Sequence, residues 1–374
     1  MKDSDVIVVG DGVIGLAVAC GLLQLGLRVS LFGGGGHTLR ASLGNFGLVW
    51  VQGKGRGARH YAEWCRLTAD RFPEFERWIY DETGIDISYR KPGGLTLCHS
   101  EQEYEKRSVI LELLSRESRD GYYDGEMIGR EAAQKVVGDK IKLGPKIVGA
   151  SYSPHDGYLN PLALLRALLI YFRQNGGDYH PDTPVNLIEP DSSRFRVSTR
   201  LGRFSSAKLV VAAGLATKHL AGMVGIDAPV IPERGQLMVT ERVQPILSVP
   251  ISGIQQTAEG SFIVGLSNEK IGINTETNFS VIKCMADRVR SALPALGKLQ
   301  VVRSWAALRV LSPDGMPIYQ QSQTSPGAYA VTSHSGVSLA PLHLTEISRW
   351  IMDGTSPAEF DKFSSGRFDA KKTA

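Results

Sequence analysis

The sequence predicts an α/β chain of two interleaved domains, one built on a parallel sheet and one with a mainly antiparallel β layer. Three observations predict it. An apolar run, a glycine-rich turn and an apolar helix follow one another at the start of the chain. Buried-strand segments ending in small residues recur in the middle and near the end. Between them lie short runs of alternating polarity, the pattern of half-buried strands.

Taken in order, residues 5–9 form a continuous apolar run, as in a strand covered on both faces. Residues 14–25 are apolar at helical spacing, Gly26 ends the helix, and residues 28–32 are the next strand. A helix follows over 57–82, with Tyr61, Trp64, Leu67, Phe72, Phe75 and Ile79 as its apolar stripe. From Ile85 the texture changes to strand material with a turn at Pro92-Gly93-Gly94, then a charged helix over 101–118. "YLNPLALLRALLIYFRQNGG" is an amphipathic helix with Pro161 in its first turn. Residues 205–214 are another buried strand, 228–309 carry alternating runs such as "GQLMVTE", and the tail reads strand, glycine turn, helix. The dinucleotide-binding domain is therefore expected over 1–84, 146–221 and 312–374. A substrate-binding or partner domain is expected over 85–145 and 222–311.

Composition sets limits. The 43% apolar and 21% charged residues are those of a globular chain. A net charge of +4, with acids and bases interspersed, gives no basic footprint for nucleic acid. The N-terminus lacks the pattern of a secretory signal, and no window approaches a membrane span. Cys20, Cys65, Cys98 and Cys284 are scattered, form no CxxC pair and read as reduced thiols of a cytoplasmic protein. No metal-ligand cluster is seen.

Gly10-Asp11-Gly12-Val13-Ile14-Gly15 is a G-x-G-x-x-G turn between a strand and a helix, the Rossmann-like fingerprint. Gly10 permits the turn, Gly12 lets backbone approach a pyrophosphate, and Gly15 lets helix and strand close together. The helix N-terminus, with Val13 and Ile14, offers N–H donors to phosphate. The fingerprint departs from type in one place. The second strand is expected to end in an acid that grips the ribose; here it ends in Gly33. NADP with His37 and Arg40 nearby, a dinucleotide held by phosphates and adenine alone, and a decayed site all fit that turn.

Five later segments decide among these: "RASLGNFGLV" (40–49), "LVVAAG" (209–214), "PERGQL" (232–237), "WAALRVLSPDGMP" (305–317) and "SHSGVSLAP" (333–341). Together, and in this order, they resemble the D-amino-acid oxidase (DAO) family of FAD-dependent amine oxidoreductases, from Val6 to about residue 354. Through "NFGLVWVQGKG" and the tail motif the chain is similar to the FAD-carrying β subunits of heteromeric dehydrogenases. Opine (octopine or nopaline) oxidases and D-hydroxyproline and L-proline dehydrogenases belong to that group. Self-sufficient glycine and D-amino acid oxidases are more distant members.

The resemblance implies a glutathione-reductase-type sheet and non-covalent FAD. Gly10, Gly12, Val13, Ile14 and Gly15 would meet its pyrophosphate, with Arg40 and Ser42 beside it. Gly44, Asn45, Gly47 and Leu48 would pass along the flavin ring, and Val185 would contact the adenine. Ala212, Ala213 and Gly214 would flank the AMP half, and Gly336, Val337 and Ser338 would donate N–H groups to the flavin carbonyl. Gly33 cannot grip the ribose, so its hydroxyls are expected to meet backbone, water or a displaced side chain, and Gly33→Glu is expected to be tolerated.

The implied reaction is hydride transfer from the carbon beside an amine to flavin N5, then imine hydrolysis. An opine is the favoured substrate, cleaved to an amino acid and a 2-oxo acid. The alternatives are a hydroxyproline or proline dehydrogenase subunit, a self-sufficient D-amino acid or glycine oxidase, and a flavin-binding subunit whose partner does the chemistry. Arg309 is the candidate cation for substrate or flavin; the alternative is a strand arginine paired with an acid. His334 is the candidate to orient substrate or tune the ring; the alternative is a hydrogen-bonded core histidine. No arginine follows His334 closely, as glycine-oxidase-like members would have it. "QGKGRGARH" (52–60) combines Lys54, Arg56 and Arg59 with three glycines, a candidate anion site for substrate carboxylates or for FMN at a subunit interface. Its alternative is a flexible basic loop. The implied partners are a larger α subunit carrying further redox or nucleotide cofactors and a small iron–sulfur subunit, with no membrane span.

Overall fold

Alternation within a single strand organises the larger sheet. A computed structural model of the chain describes residues 2–36, 41–118, 123–191 and 193–371. In the strand Lys2–Val9, Val6 and Val8 enter a core on one face, and Ile7 and Val9 enter a second core on the other. A strand apolar on both faces has no side to offer water, so it takes the middle of the sheet. Gly202–Val211 and Val29–Phe32 flank it in parallel. Ala328–Thr332 and Asp178–His180 extend the parallel run outward. Ile318–Gln321 closes one edge antiparallel, and the hairpin Leu187–Asp191 and Arg194–Thr199 joins through Gly202–Val211.

The helices Val13–Gln24, Arg59–Thr83 and Pro161–Gln174 pack on one face with the tail helices between 340 and 353. Pro161 stands at the start of its helix as the sequence predicts, and Asn160 Oδ1 caps it by accepting from the N–H groups of Leu162 and Ala163.

A second layer is antiparallel. Ile254–Gln256, Ser261–Val264, Ile231–Arg242 and Val301–Leu311 lie side by side in that order. A bridge from Leu95 to Ile251 links them to a smaller sheet of Gly94–Cys98, Gly149–Ser153 and Glu126–Gly129. Met285 and Val289 of the helix Phe279–Ala292 complete that layer's core against Phe262 and Val264. The strand Gly149–Ser153 is hydrogen-bonded into this layer, although its sequence position falls in the segment 146–221 expected to belong to the parallel sheet. Its partners lie earlier in the chain, so no local pattern announces the pairing. The mixed α/β class with a parallel sheet is the one the sequence predicts. Among the described residues no helix is long and apolar enough to cross a membrane, and no group of His, Cys, Asp and Glu is placed to hold a metal.

Candidate active site

The cradle is built by glycines that leave no room for a side chain. The chain leaves the first strand at Gly10 with φ +117°, and a Cβ there would stand 2.2 Å from the Ala212 carbonyl oxygen. A Cβ on Gly15 would stand 1.8 Å from the Gly10 carbonyl oxygen. The helix therefore closes on the strand only with glycine at both positions. Gly12 faces Ser42, whose Oγ accepts from the Val13 N–H at 3.0 Å.

Above this turn lies a cavity of about 760 Å³. It sits over the carboxyl ends of Lys2–Val9, Gly202–Val211 and Ala328–Thr332, where open α/β sheets take their ligands. Of the residues expected from sequence, Gly10, Gly12, Val13, Ile14, Ser42, Gly44, Asn45, Leu48, Val185, Ala212, Ala213, Gly214, Gly336, Val337 and Ser338 all line it. Gly15 and Gly47 do not; they shape it from behind. Gly47 has φ +89°, donates to Asn45 Oδ1 at 2.7 Å, and would place a Cβ 2.3 Å from the Leu159 carbonyl oxygen. Arg40 and His37 lie outside the described residues. Gly336, Val337 and Ser338 form part of the cavity wall, and backbone N–H donors there would suit a carbonyl that gains negative charge. A glycine-walled phosphate turn leading to this donor set fits FAD. The group would lie with its pyrophosphate at residues 10–15 and its ring toward 336–338.

The flavin-end loop is stitched to its surroundings by polar contacts. Trp50 N–H donates to Ser338 Oγ at 3.3 Å, and Gln255 Nε2 donates to the Phe46 carbonyl at 2.8 Å. Asp156, fully buried, accepts from the N–H of Val51 at 2.6 Å and from Gln52 Nε2 at 2.6 Å. Burial pushes its carboxyl up to about 6. Gln52 Oε1 in turn accepts from Arg107 and Ser151 of the other layer. Sequence reading missed this anchor, because its members lie far apart in the chain and each looks ordinary alone.

Charge gathers at the flavin end. Arg309 lines the cavity and also donates to the Ser267 carbonyl at 3.0 Å, with Glu233 at 3.4 Å. Arg309 is thus an acid-paired strand arginine whose side chain also faces the cavity. Lys54 Nζ donates to Ser335 Oγ at 2.7 Å, and Ser335 Oγ lies 2.7 Å from the Tyr61 hydroxyl. Burial lowers the pKa of Lys54. His334 is exposed on the wall of the same cavity. Desolvation at the cavity wall, then the charges of Lys54 and Arg309, lower its pKa, so the ring is neutral at pH 7.

Two expectations are corrected. Lys54, Arg56 and Arg59 do not converge on one anion. Arg59 pairs with Glu63 at 2.8 Å on the surface, and Arg56 lines a separate hollow with Gly53, Gly57 and Asp314. The positive-φ glycines 53, 55 and 57 turn the loop at every second residue, which sends successive cations in different directions. Gly33, secondly, has no spare room. A Cβ there would stand 2.4 Å from Asp11 Oδ2, so Gly33→Glu is not the harmless change the sequence suggests.

The chain matches the family model described as FAD dependent oxidoreductase (DAO) over residues 5–346. It is 36% identical to the B subunit of opine oxidase from Agrobacterium tumefaciens (strain Ach5) over 372 residues, covering 100% of both chains. It is equally 36% identical to the B subunit of the Rhizobium meliloti opine oxidase over 373 residues, again 100% of both. Glycine oxidase from Geobacillus kaustophilus superposes with a TM-score of 0.88 at 22% identity, covering 97% of this chain and 98% of the other. L-Proline dehydrogenase from P. horikoshii superposes with a TM-score of 0.83 at 18% identity, covering 99% of each. With its glycine cradle, its cavity over the strand ends and a family match spanning nearly its full length, this chain belongs to the DAO family of FAD-dependent oxidoreductases.

Proposed function

We propose that the chain oxidises an opine, a secondary amine bearing at least two carboxylates, as the FAD-carrying subunit of a heteromeric enzyme. One observation carries this reading. Two cations, Arg309 and Lys54, line the same cavity as His334. A simple amino acid has one carboxylate to offer; an opine has at least two, one on each side of its nitrogen. The full-length likeness to two proteins named as the B subunit of opine oxidase supports the same substrate class and a partner subunit.

Arg309 would hold one carboxylate through its planar guanidinium, fixed by Glu233 and Ser267. Lys54, steadied by Ser335, would hold the other. Between them the nitrogen and the carbon beside it are presented to the flavin end. Hydride leaves that carbon while the nitrogen lone pair forms the C=N bond. Water then adds to the imine and splits it into an amino acid and a 2-oxo acid. The chemistry that FAD supplies when bound is acceptance of the hydride at N5. Neutral His334 adds no third cation and can accept a hydrogen bond from the substrate ammonium or amine. Electrons leave through a larger partner subunit. Because the basic loop splits its cations, an FMN phosphate site on this chain is not part of the proposal.

The test is anaerobic mixing of the flavin-loaded protein with octopine, nopaline, hydroxyproline, glycine and D-alanine, followed by the flavin absorbance. Bleaching by an opine well ahead of the monocarboxylates is the expected result. Bleaching by D-alanine or glycine, with none by either opine, would overturn the reading.

A further inference from the structure

The second strand ends without an acid, but an acid stands within the fingerprint itself. Asp11, the residue between the first two glycines, is 6% exposed and lines the cavity. An anion in the middle of a phosphate-binding turn opposes the pyrophosphate unless its carboxylate is turned away. It is turned toward the tip of the second strand. An ideal Cβ on Gly33 would lie 2.4 Å from Asp11 Oδ2, 2.7 Å from its carboxyl carbon and 3.2 Å from Oδ1. The carboxylate thus occupies the volume into which a side chain at 33 would have to grow. Tyr179, on the next parallel strand, donates its hydroxyl to Asp11 Oδ2 at 2.9 Å and fixes its rotamer. Backbone bonds from Gly10 N–H to the Phe32 carbonyl and from Gly33 N–H to the His180 carbonyl, 2.8 and 3.0 Å, hold the three segments in this arrangement.

We infer that Asp11 binds the adenosine ribose hydroxyls of FAD, in place of the acid that Gly33 lacks, with Gly33 kept side-chain-free to admit it. Acid and glycine have exchanged positions across one turn. A carboxylate has acceptor sites for several donors, so the Tyr179 bond and a ribose hydroxyl are compatible on one group. The inference concerns the cofactor alone and does not depend on which amine is oxidised.

Flavin-free protein allows a direct test by fluorescence titration with FAD, and by competition with ADP and 2′,3′-dideoxy-ADP. The wild type is expected to prefer ADP over its dideoxy analogue by about ten-fold, the value of hydroxyl bonds to a charged acceptor. Asp11→Asn should weaken FAD by about ten-fold and erase that preference. Gly33→Glu alone should also weaken FAD, because the two carboxylates collide. The double variant Asp11→Gly with Gly33→Glu should bind FAD more tightly than either single variant and regain the preference for ADP. Should a variant fail to fold, the wild-type competition still decides, since equal affinity for ADP and dideoxy-ADP would overturn the inference. So would an Asp11→Asn protein that retains the full preference. Loss of FAD binding in Asp11→Asn with the preference for ADP intact would make Asp11 a structural buttress of Tyr179, and the inference would fail.

Discussion

The ammonium of Lys54 and the hydroxyl of Ser335 meet at 2.7 Å across a sequence separation of 281 residues. The contact ties the loop 52–60 to the tail turn that carries His334. It also turns one cation of a basic run inward while Arg56 and Arg59 stay exposed. Lys54→Met keeps most of the side-chain length and removes the charge. For an opine, KM is expected to rise about ten-fold or more, the value of a charge-assisted hydrogen bond. Turnover of a monocarboxylate amine and FAD content should stay as in the wild type. Steady-state kinetics on the two substrate classes, with flavin absorbance as the control, check this.

Arg309 lies directly over Gly235 of the neighbouring strand. A Cβ at 235 would stand 2.5 Å from Nη2 and 2.6 Å from the guanidinium carbon. The clash is with the free end of a side chain, so Gly235→Ala should fold and bind FAD normally. The guanidinium must shift, however, and a displaced anchor loses its bidentate geometry. The expected result is a rise of about ten-fold or more in KM or in the dissociation constant of a carboxylate inhibitor. Titration of the flavin spectrum with acetate or a substrate analogue measures it, and an unchanged constant would show that Arg309 holds no carboxylate.

How much of this was legible follows from how far each signal reaches along the chain. The strand, turn and helix at the start are local, and the spacing of Gly10, Gly12 and Gly15 states its own steric purpose. The structure shows that purpose as contacts of 2.2 and 1.8 Å from virtual Cβ atoms to backbone oxygens. Arg309 and His334 were found because each sits in a short motif. The direction of a side chain across a turn was not legible. Nothing in "GKGRGAR" says that Lys54 alone points inward, since that depends on positive-φ glycines and on Ser335 far away. Asp11 was in plain view inside the fingerprint, yet reading it needs Gly33 and Tyr179 brought to it by the sheet. The signal that could have found it was chemical: an acid inside a phosphate turn needs a use.

Gly21 tests the packing of the first helix against the tail. A Cβ there would stand 1.9 Å from the Leu344 carbonyl oxygen and 2.4 Å from Ser348 Oγ. Helix propensity alone predicts that Gly21→Ala stabilises by about 1 kcal/mol. The backbone contact predicts the reverse, because a carbonyl cannot rotate away as a side chain can. Overpacking of this kind costs about 1–3 kcal/mol, so net destabilisation is expected. Urea denaturation of the flavin-loaded protein gives the sign, and a higher midpoint for the alanine variant would refute the close approach.

His343 sets an acid limit on stability. It is fully buried, its Nε2 lies 3.0 Å from the Tyr319 hydroxyl, and its Nδ1 has no hydrogen-bond partner among the described residues. Burial lowers its pKa to about 3. The sign follows from proton counting. Between pH 6.5 and 3 the unfolded chain binds a proton that the folded chain does not, so unfolding is favoured as pH falls. At pH 5 this one residue should cost about 2 kcal/mol relative to pH 7.5. Asp156 acts in the opposite direction, since its raised pKa makes folding take up a proton between about pH 4 and 6. A difference measurement therefore isolates the histidine. His343→Gln is expected to be less stable than the wild type at pH 7.5, through lost packing and a lost partner for Tyr319, but to lose less stability on going to pH 5. Denaturant midpoints of both proteins at the two pH values give the slopes. Parallel slopes would mean that His343 takes up its proton in the folded chain as readily as in the unfolded one, against its burial and its lone Nδ1.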